Sequence, residues 1–407
     1  MLRLLLPLAV VFILAGGTLL GGCGTADPGD ERGITVDTLA NGALHVRNDA
    51  SGVWTPEERW RLVEDLRIGS ADGQGPDVFG RVGSALLDTM GRLWVMDPTI
   101  PEMRVFDIDG TYVRTVGRRG SGPGELSNGG NVFRGPDGEI WAEDTRERRW
   151  ERFDTAGNVV GRTGINSNLG NGARRWTPDG RLLEIQLLRE PGAAPGEERA
   201  IWVRNTLDAE GQLVPGDSFP FPVLPTPERV RITGLDGRGS ISFYIPFAAN
   251  GMRALSQDGS FWVAEPGPDY RIRHVSLTGD TLLVFERSYE PVAVPDSARQ
   301  PAIDNMYREG FSQPDLDPDE IPTAHPPFAR LYEATDGMLW VLRVAEHGRS
   351  AFDVFTAAGH YLGQVAGDVD LEALRVFHIS DEHVFAMAAD ELGVQSIVRV
   401  RIEKPGP

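Results

Sequence analysis

A turn followed by a short apolar strand recurs along the chain, and this pattern predicts an all-β protein. In each copy a turn glycine, usually within Asp-Gly, precedes a run of alternating apolar residues. Asp-Gly between alternating runs is a strong signal for a β-hairpin. The turn glycines of the five copies are Gly91, Gly138, Gly180, Gly259 and Gly337. Four copies carry a tryptophan three residues after this glycine, namely Trp94, Trp141, Trp262 and Trp340.

A second strand and a second turn complete each copy. The glycines of the second turns are Gly110, Gly157, Gly211, Gly279 and Gly359. Each copy is therefore predicted to be an antiparallel meander of about four strands and roughly 40 to 50 residues, which is the size of a β-propeller blade. The identical placement of the tryptophans predicts core residues between neighbouring sheets rather than platforms for sugar binding.

A sixth, weaker copy ends the chain with the alternating strand Ser396–Ile402, and a spare strand, Leu62–Ile68, precedes the first copy. Because an open ring would leave sheet edges bare, the spare strand is predicted to pair into the last blade. Residues 59–407 are thus predicted to form a six-bladed β-propeller of four-stranded antiparallel blades, closed by this N-terminal strand. A seventh blade around Asp236-Gly237 is the alternative.

Residues 291–327 are predicted to be an insertion across one face. Within it, the stretch from Asp296 to Gly310 has the pattern of a short helix with an aspartate cap and a glycine stop.

The repeats resemble those of six-bladed propellers built from NHL-type repeats. The resemblance is clearest at Gly91–Asp97, Arg104–Asp107 and Gly120–Leu126. It covers residues 80 to 160 well, is patchy from 175 to 285, and returns from 330 to 402. It implies an architecture and little about activity, because this fold hosts receptors, scaffolds, lactonases and lyases.

The first 22 residues are predicted to be a signal peptide, with a positive start at Arg3 and an apolar run from Leu4 to Leu20. The segment Leu20-Gly-Gly-Cys23, which holds the chain's single cysteine, resembles a bacterial lipobox. The resemblance implies acylation of Cys23 and cleavage before it, hence an extracytoplasmic protein anchored to a membrane through its N-terminal lipid. Gly24 in place of aspartate favours the outer membrane. An ordinary secretory signal or an uncleaved anchor is the alternative.

Residues 23–58 are predicted to be a polar tether between the lipid and the propeller. A loose hairpin is the alternative, since the segment contains a few apolar residues, namely Ile34, Val36, Leu39, Leu44 and Val46.

The net charge of the chain limits the classes of molecule that it is expected to bind. The chain has 407 residues, 40 basic and 59 acidic, and a formal net charge of −19. A nucleic-acid binder is therefore not expected, because it needs a positive field to meet phosphates. The single cysteine excludes a disulfide framework and any cysteine-rich metal site.

The candidate ligand residues lie just beyond the tryptophan strands, where the mouth of a propeller channel is expected. They are Asp97, Asp144, Glu265 and Arg343. Two roles are open for these residues. In the structural role, an acidic residue accepts hydrogen bonds from a neighbouring turn. In the ligand role, a ring of acidic residues binds a cation or a basic ligand. No catalytic residue and no cofactor is predicted. Calcium is the alternative, as in gluconolactonase-like propellers, because carboxylates are abundant here.

The histidines are scattered, and His378 and His383 are interpreted as ordinary surface or turn residues. The leading functional prediction is a non-catalytic platform in the cell envelope that binds a protein, a peptide or a glycan. The alternative is a metal-dependent hydrolase or lyase, lactonase-like, that works in the channel.

Overall fold

The computed structural model describes residues 33–165, 174–188, 199–220, 224, 228–344 and 350–406. The predicted signal peptide and Cys23 lie outside these residues. Within them nearly all of the regular secondary structure is β-strand, so the all-β prediction is confirmed. Three strands come first, namely β1 (Ile34–Thr38), β2 (Leu44–Asn48) and β3 (Arg61–Ile68).

The strands that follow pair as antiparallel meanders, which we number as units. Unit 1 contains β4 (Ser84–Leu87), β5 (Leu93–Asp97), β6 (Glu102–Phe106) and β7 (Tyr112–Val116). Unit 2 contains β8 (Gly129–Arg134), β9 (Ile140–Asp144), β10 (Arg149–Phe153) and β11 (Val159–Gly164). Unit 3 contains β12 (Arg174–Trp176), β13 (Leu182–Leu188), β14 (Arg199–Leu207) and β15 (Leu213–Pro220).

Two further strands, β16 (Arg229–Thr233) and β17 (Ser240–Tyr244), form a separate hairpin. Unit 4 contains β18 (Met252–Leu255), β19 (Phe261–Ala264), β20 (Arg271–Val275) and β21 (Thr281–Arg287), and the helix α1 (Asp296–Asp304) comes next. Unit 5 contains β22 (Arg330–Glu333), β23 (Leu339–Val344), β24 (Ser350–Phe355) and β25 (Tyr361–Gly367). Unit 6 contains β26 (Arg375–Ile379), β27 (His383–Ala389) and β28 (Gln395–Glu403).

The N-terminal strand β3 pairs antiparallel with β28 along its whole length, from Ile68 opposite Ile397 to Arg61 opposite Glu403. Unit 6 therefore has four strands, the outermost of which comes from the start of the described chain. Two residues of β3, Arg61 and Leu62, also pair in parallel with the end of β25 in unit 5. The first strands of neighbouring units contact each other at β4–β8, β18–β22, β22–β26 and β26–β4.

Each first strand begins at the end of its unit that we call the upper face, and it ends at the lower face. Because the strands of a unit are antiparallel, the turns from first to second strand lie at the lower face. The connections from second to third strand, and from each unit to the next, lie at the upper face.

The repeated tryptophans lie in the core, as predicted. Trp94, Trp141, Trp262 and Trp340 are each at most 1% exposed. Trp340 packs with residues of units 5 and 6, and Trp262 packs with residues of units 4 and 5. The tryptophans thus fill the space between successive sheets, where their large apolar area stabilises the stacking of one unit on the next.

The tether prediction for residues 23–58 is wrong from residue 33 onward. β1 and β2 form an antiparallel hairpin, and β2 pairs in parallel with β21, from Leu44 opposite Leu283 to Asn48 opposite Arg287. Ile34 and Val46 are buried in the core between units 4 and 5. These apolar contacts hold the segment on the sheet of unit 4, so the hairpin alternative describes it better.

The interval between units 3 and 4 contributes only the β16–β17 hairpin in the part of the chain that is described. This hairpin packs against α1 in a separate apolar cluster that contains Val230, Ile303, Met306 and Ile321. The predicted insertion is present, but its helix is shorter than expected and ends at Asp304. Asp296 is the first helical residue rather than the cap, which is Pro295. No helix in the described ranges is long and apolar enough to cross a bilayer.

Candidate functional site

A cavity of about 520 Å³, which we call the lower cavity, lies between the lower ends of the first strands. Units 1, 2, 3, 5 and 6 each contribute part of their first strand to its wall, and unit 4 contributes the turn residue Gln257. The chemistry-bearing side chains of this wall are Arg134, Arg174, Arg175, Gln257, Glu333 and His378. Arginines therefore outnumber the one carboxylate in a protein whose overall charge is strongly negative.

Arg174 and Arg175 are neighbours on β12 but have different surroundings. Arg174 lies 3.6 Å from carboxylate oxygens of both Glu143 and Glu184, and its guanidinium stacks over the ring of Trp150. Arg175 is half-buried, and its guanidinium has no hydrogen bond and no ion pair among the described residues. The charge of Arg174 is thus compensated within the fold, whereas the hydrogen-bond donors of Arg175 have no partner among the described residues.

Burial lowers the pKa of Arg175 from the usual arginine value, and the charges of Glu333 and Asp258 oppose this shift. An arginine begins from so high a pKa that it stays protonated at neutral pH. The cavity therefore contains a fixed positive charge that has lost part of its hydration.

Glu333 is the carboxylate nearest to this charge in the wall, and it is engaged by unit 4. It accepts hydrogen bonds from the Ser256 hydroxyl and the Gln257 backbone amide, both at 2.6 Å, and from Trp262 Nε1 at 3.3 Å. These contacts join β22 to the lower turn of unit 4. Glu333 is accordingly a link between two units, as well as a source of negative potential at the cavity edge.

His378 lies on β26 in the same wall, beside Arg134 of unit 2. Burial lowers its pKa to about 4, and the positive charge of Arg134 contributes to this shift. The imidazole is therefore neutral at pH 7. The interpretation of His378 as a surface or turn residue is wrong, because it lies within a strand and faces a cavity. Arg134 itself donates from Nη2 to the carbonyl of Leu87 at 2.8 Å.

A second cavity of about 670 Å³, which we call the upper cavity, lies towards the upper ends of the first strands. Its wall includes Arg81, Arg375, Gln395 and the amide side chains of Asn128 and Asn131. Arg81 and Arg375 are exposed, and neither guanidinium has a hydrogen bond or ion pair within the described ranges. No carboxylate is among the described lining residues of this cavity.

Two of the residues predicted from the sequence, Asp97 and Asp144, are fully buried at the upper ends of β5 and β9. Asp97 accepts hydrogen bonds from the backbone amides of Gly80 at 2.8 Å and Thr99 at 3.0 Å. Asp144 accepts from the backbone amide of Ser127 at 2.9 Å. Each carboxylate thus holds an upper connection in place, as in the structural alternative, and a direct ligand role for them stays a prediction.

The other two predicted residues also lie outside both cavity walls. Glu265 is half-buried and pairs with Arg273 at 2.8 Å. Arg343 is buried and lies 2.9 Å from Asp353, which also contacts Arg287 at 2.5 Å. No group of three or more His, Cys, Asp or Glu side chains in the described residues is placed to hold a metal ion.

The arginines of the two cavity walls are not among the residues predicted from the sequence, because the repeat signal lies on the tryptophan strands. A visible signal does exist, since the first strand of every unit from 2 to 6 contains arginine. These residues are Arg134, Arg174, Arg175, Arg253, Arg330 and Arg375.

Comparisons with known proteins give no family. No protein-family model matches the sequence, and no curated protein matches it. Among solved structures, a Bacteroides fragilis protein described as exported is similar with a TM-score of 0.46 and 14% identity, covering 88% of this chain and 100% of its own.

Two enzymes also appear among the similar structures. Virginiamycin B lyase from Staphylococcus aureus has a TM-score of 0.42 and 12% identity, covering 84% of this chain and 99% of its own. A gluconolactonase from Xanthomonas campestris has a TM-score of 0.41 and 11% identity, covering 87% of this chain and 95% of its own. Because identities are this low and TM-scores lie below 0.5, these similarities carry no argument about what this chain binds or does.

Proposed function

We propose that this protein is a six-bladed β-propeller of the cell envelope that binds an anionic ligand in its central channel without chemical conversion. In this proposal units 1 to 6 are the blades, β3 closes the ring, and the two cavities are parts of one channel. The support for the ring is the succession of antiparallel units, the contacts between their first strands and the pairing of β3 with β28.

The observation that carries the binding function is Arg175. A guanidinium presents a rigid fork of donors that fits carboxylate, phosphate and sulfate groups, and its hydrogen bonds to such ions are stronger than neutral ones. Most of the wall of the lower cavity belongs to first strands, and Arg175 itself lies on β12 and pairs with Leu183 of β13. A pre-organised cation of this kind favours an anion over a neutral or cationic ligand.

The proposed location is extracytoplasmic, with the protein anchored to a membrane, the outer membrane being favoured, through lipid on Cys23. A single acyl chain binds a membrane only weakly, whereas two or three give a stable anchor. If Cys23 is acylated, the chain with Cys23→Ser leaves the membrane fraction while the parent stays in it. Mass spectrometry of the parent's N-terminal peptide then identifies the acyl groups, and an unmodified peptide would contradict the anchor.

A lyase is the second candidate, on the strength of His378. This neutral imidazole shares the lower cavity with three guanidinium groups, those of Arg134, Arg174 and Arg175. An arginine that neutralises a carboxylate makes the neighbouring C–H more acidic, and a neutral histidine can accept that proton. Loss of a leaving group would then give an unsaturated product, which an absorbance assay detects.

The binding function is tested by thermal melts of the full-length chain in detergent, with citrate, phosphate and sulfate at constant ionic strength. A ligand at one hundred times its dissociation constant stabilises the fold by about 2.7 kcal/mol. We expect one or more of these anions to raise the melting midpoint of the parent but not of Arg175→Gln.

The matched control is Arg61→Gln, because Arg61 lies on the outer strand β3 with its side chain 66% exposed. It removes the same charge far from the cavity, and its response to anions should equal that of the parent. Equal responses of Arg175→Gln and the parent would contradict the proposal.

A further inference from the structure

We infer that the ligand is a linear acidic oligosaccharide, with repeated carboxylates, that lies along the channel and is held by arginines in both cavities. The inference depends on the proposed anion site at Arg175 and extends it to a ligand class.

The two cavities are successive stretches of the same inner wall. On β8, Gly129 to Asn131 line the upper cavity, and Val132 to Arg134 line the lower one. On β26, Arg375 belongs to the upper cavity and His378 to the lower. Three residues of β-strand span roughly 10 Å, so the two cavities are stacked along the strands rather than placed side by side.

Positive charge is present at both levels. Arg81 and Arg375 face the upper cavity, and Arg134 and Arg175 face the lower one. Of these four, Arg81, Arg175 and Arg375 have no hydrogen-bonding or ionic partner for their guanidinium among the described residues. A cleft with one sign of charge between low-dielectric walls concentrates the opposite charge. A ligand that pairs with arginines of both the upper and the lower cavity must have two or more negative groups separated by roughly 10 Å.

The uncharged residues that line the two cavities favour a ligand whose negative groups are joined by sugar rings. Phe133, Trp176 and Phe377 are half-buried aromatic residues of the lower cavity wall. Aromatic faces pack well against the C–H faces of sugar rings. Asn128 and Gln395 line the upper cavity, and their amide groups can both donate to and accept from hydroxyls. An inorganic polyphosphate has no apolar face to place on the rings.

The test is isothermal titration of the full-length chain in detergent with galacturonic acid and with its linear trimer and hexamer. We expect the trimer to bind at least tenfold more tightly than the monomer, because it reaches the arginines of both cavities. Arg81→Gln/Arg375→Gln should lose this tenfold gain, whereas Arg61→Gln should keep it. Both arginines of the double variant are exposed, and a melting curve like that of the parent verifies its fold. Arg175→Gln should weaken the binding of monomer and trimer alike.

Three outcomes would overturn the inference. One is equal affinity for monomer and trimer, which leaves the anion site intact but removes the extended ligand. Another is tighter binding of poly-glutamate or polyphosphate than of the hexamer, which assigns the channel to a different polymer. The third is equal binding of a neutral galactose oligomer of the same length. Failure of the parent to bind any uronate, citrate, phosphate or sulfate would instead contradict the proposed function itself.

Discussion

The paired arginines inside the sheets and Arg175 in the lower cavity are the same residue type in opposite situations. Within the sheets, Arg287 and Arg343 share the buried carboxylate of Asp353, and Arg104 lies 3.7 Å from that of Asp97. In the wall of the lower cavity, Arg175 has no such partner among the described residues. The fold compensates the charges of Arg287, Arg343 and Arg104, and in our proposal a ligand compensates that of Arg175.

The largest effect is expected when a compensating carboxylate is removed. Asp353→Ala leaves Arg287 and Arg343 buried without their counter-charge, and we expect a loss of about 3–5 kcal/mol in the free energy of unfolding. Thermal or denaturant melts measure this. Asp368→Ala is the matched control, because Asp368 is 91% exposed and 3.9 Å from Arg61, so its loss should be close to zero. Equal midpoints for the two variants would break the comparison.

A smaller effect is expected from pH at His378. Its pKa of about 4 in the folded protein lies below the value of about 6.5 for an unperturbed histidine. The unfolded chain therefore binds this proton more readily, so stability is fully present above pH 6.5 and falls as the pH is lowered towards 4. We expect the parent to lose about 1–3 kcal/mol over this range through His378.

The variant His378→Asn should lack that part of the pH dependence, since the other histidines are common to both proteins. Denaturant melts at pH 7 and pH 4.5 give the difference. Parallel losses in the parent and the variant would show that His378 does not contribute.

Asp97→Asn tests whether a carboxylate at the upper face positions a loop. The amide keeps one acceptor oxygen, but its NH₂ group meets backbone amides such as those of Gly80 and Thr99. Unsatisfied groups of this kind cost about 1–3 kcal/mol. Hydrogen exchange of residues 78–83 and 98–101 should show faster opening there, with little change in other units. A loss of ligand or metal binding with unchanged loop protection would support the ligand role predicted from the sequence.

The smallest effect on stability is expected at Arg175. Because no carboxylate of the described residues lies within ion-pairing distance of its half-buried guanidinium, Arg175→Gln should leave the free energy of unfolding within about 0.5 kcal/mol of the parent or raise it slightly. Arg287→Gln, which removes a partner of Asp353, should lower it clearly. A large loss of stability for Arg175→Gln would show that this residue is compensated by the fold after all.

The sequence predicted the repeating strands because turns and core tryptophans are local signals. Gly138 and Trp141, for example, fix a turn and a core position within four residues. It could not predict that residues 34–48 join unit 4, because β2 pairs with a strand more than 200 residues later. The polar composition of this segment is typical of a tether. Only the long-range contacts of Ile34 and Val46 distinguish a tether from a hairpin that packs on unit 4.

The site was harder to predict for a related reason. Arg174 and Arg175 are adjacent and identical in type, yet only Arg174 has carboxylates at hand, from β9 and β13. Likewise, the Asp97 carboxylate accepts a hydrogen bond from the backbone amide of Gly80, in a loop that precedes it in the chain. The packing of separate units decides which charged side chains have a partner of opposite charge. No spacing within the sequence encodes this pairing.

The central claim is that the channel holds an anion at Arg175. The most direct measurement is a crystal structure of the protein soaked in selenate, with anomalous scattering used to locate the selenium. The account predicts a selenate in the lower cavity within hydrogen-bonding distance of the Arg175 guanidinium, and its disappearance in crystals of Arg175→Gln. Selenate found only on the outer surface, or in the same position in both proteins, would contradict it.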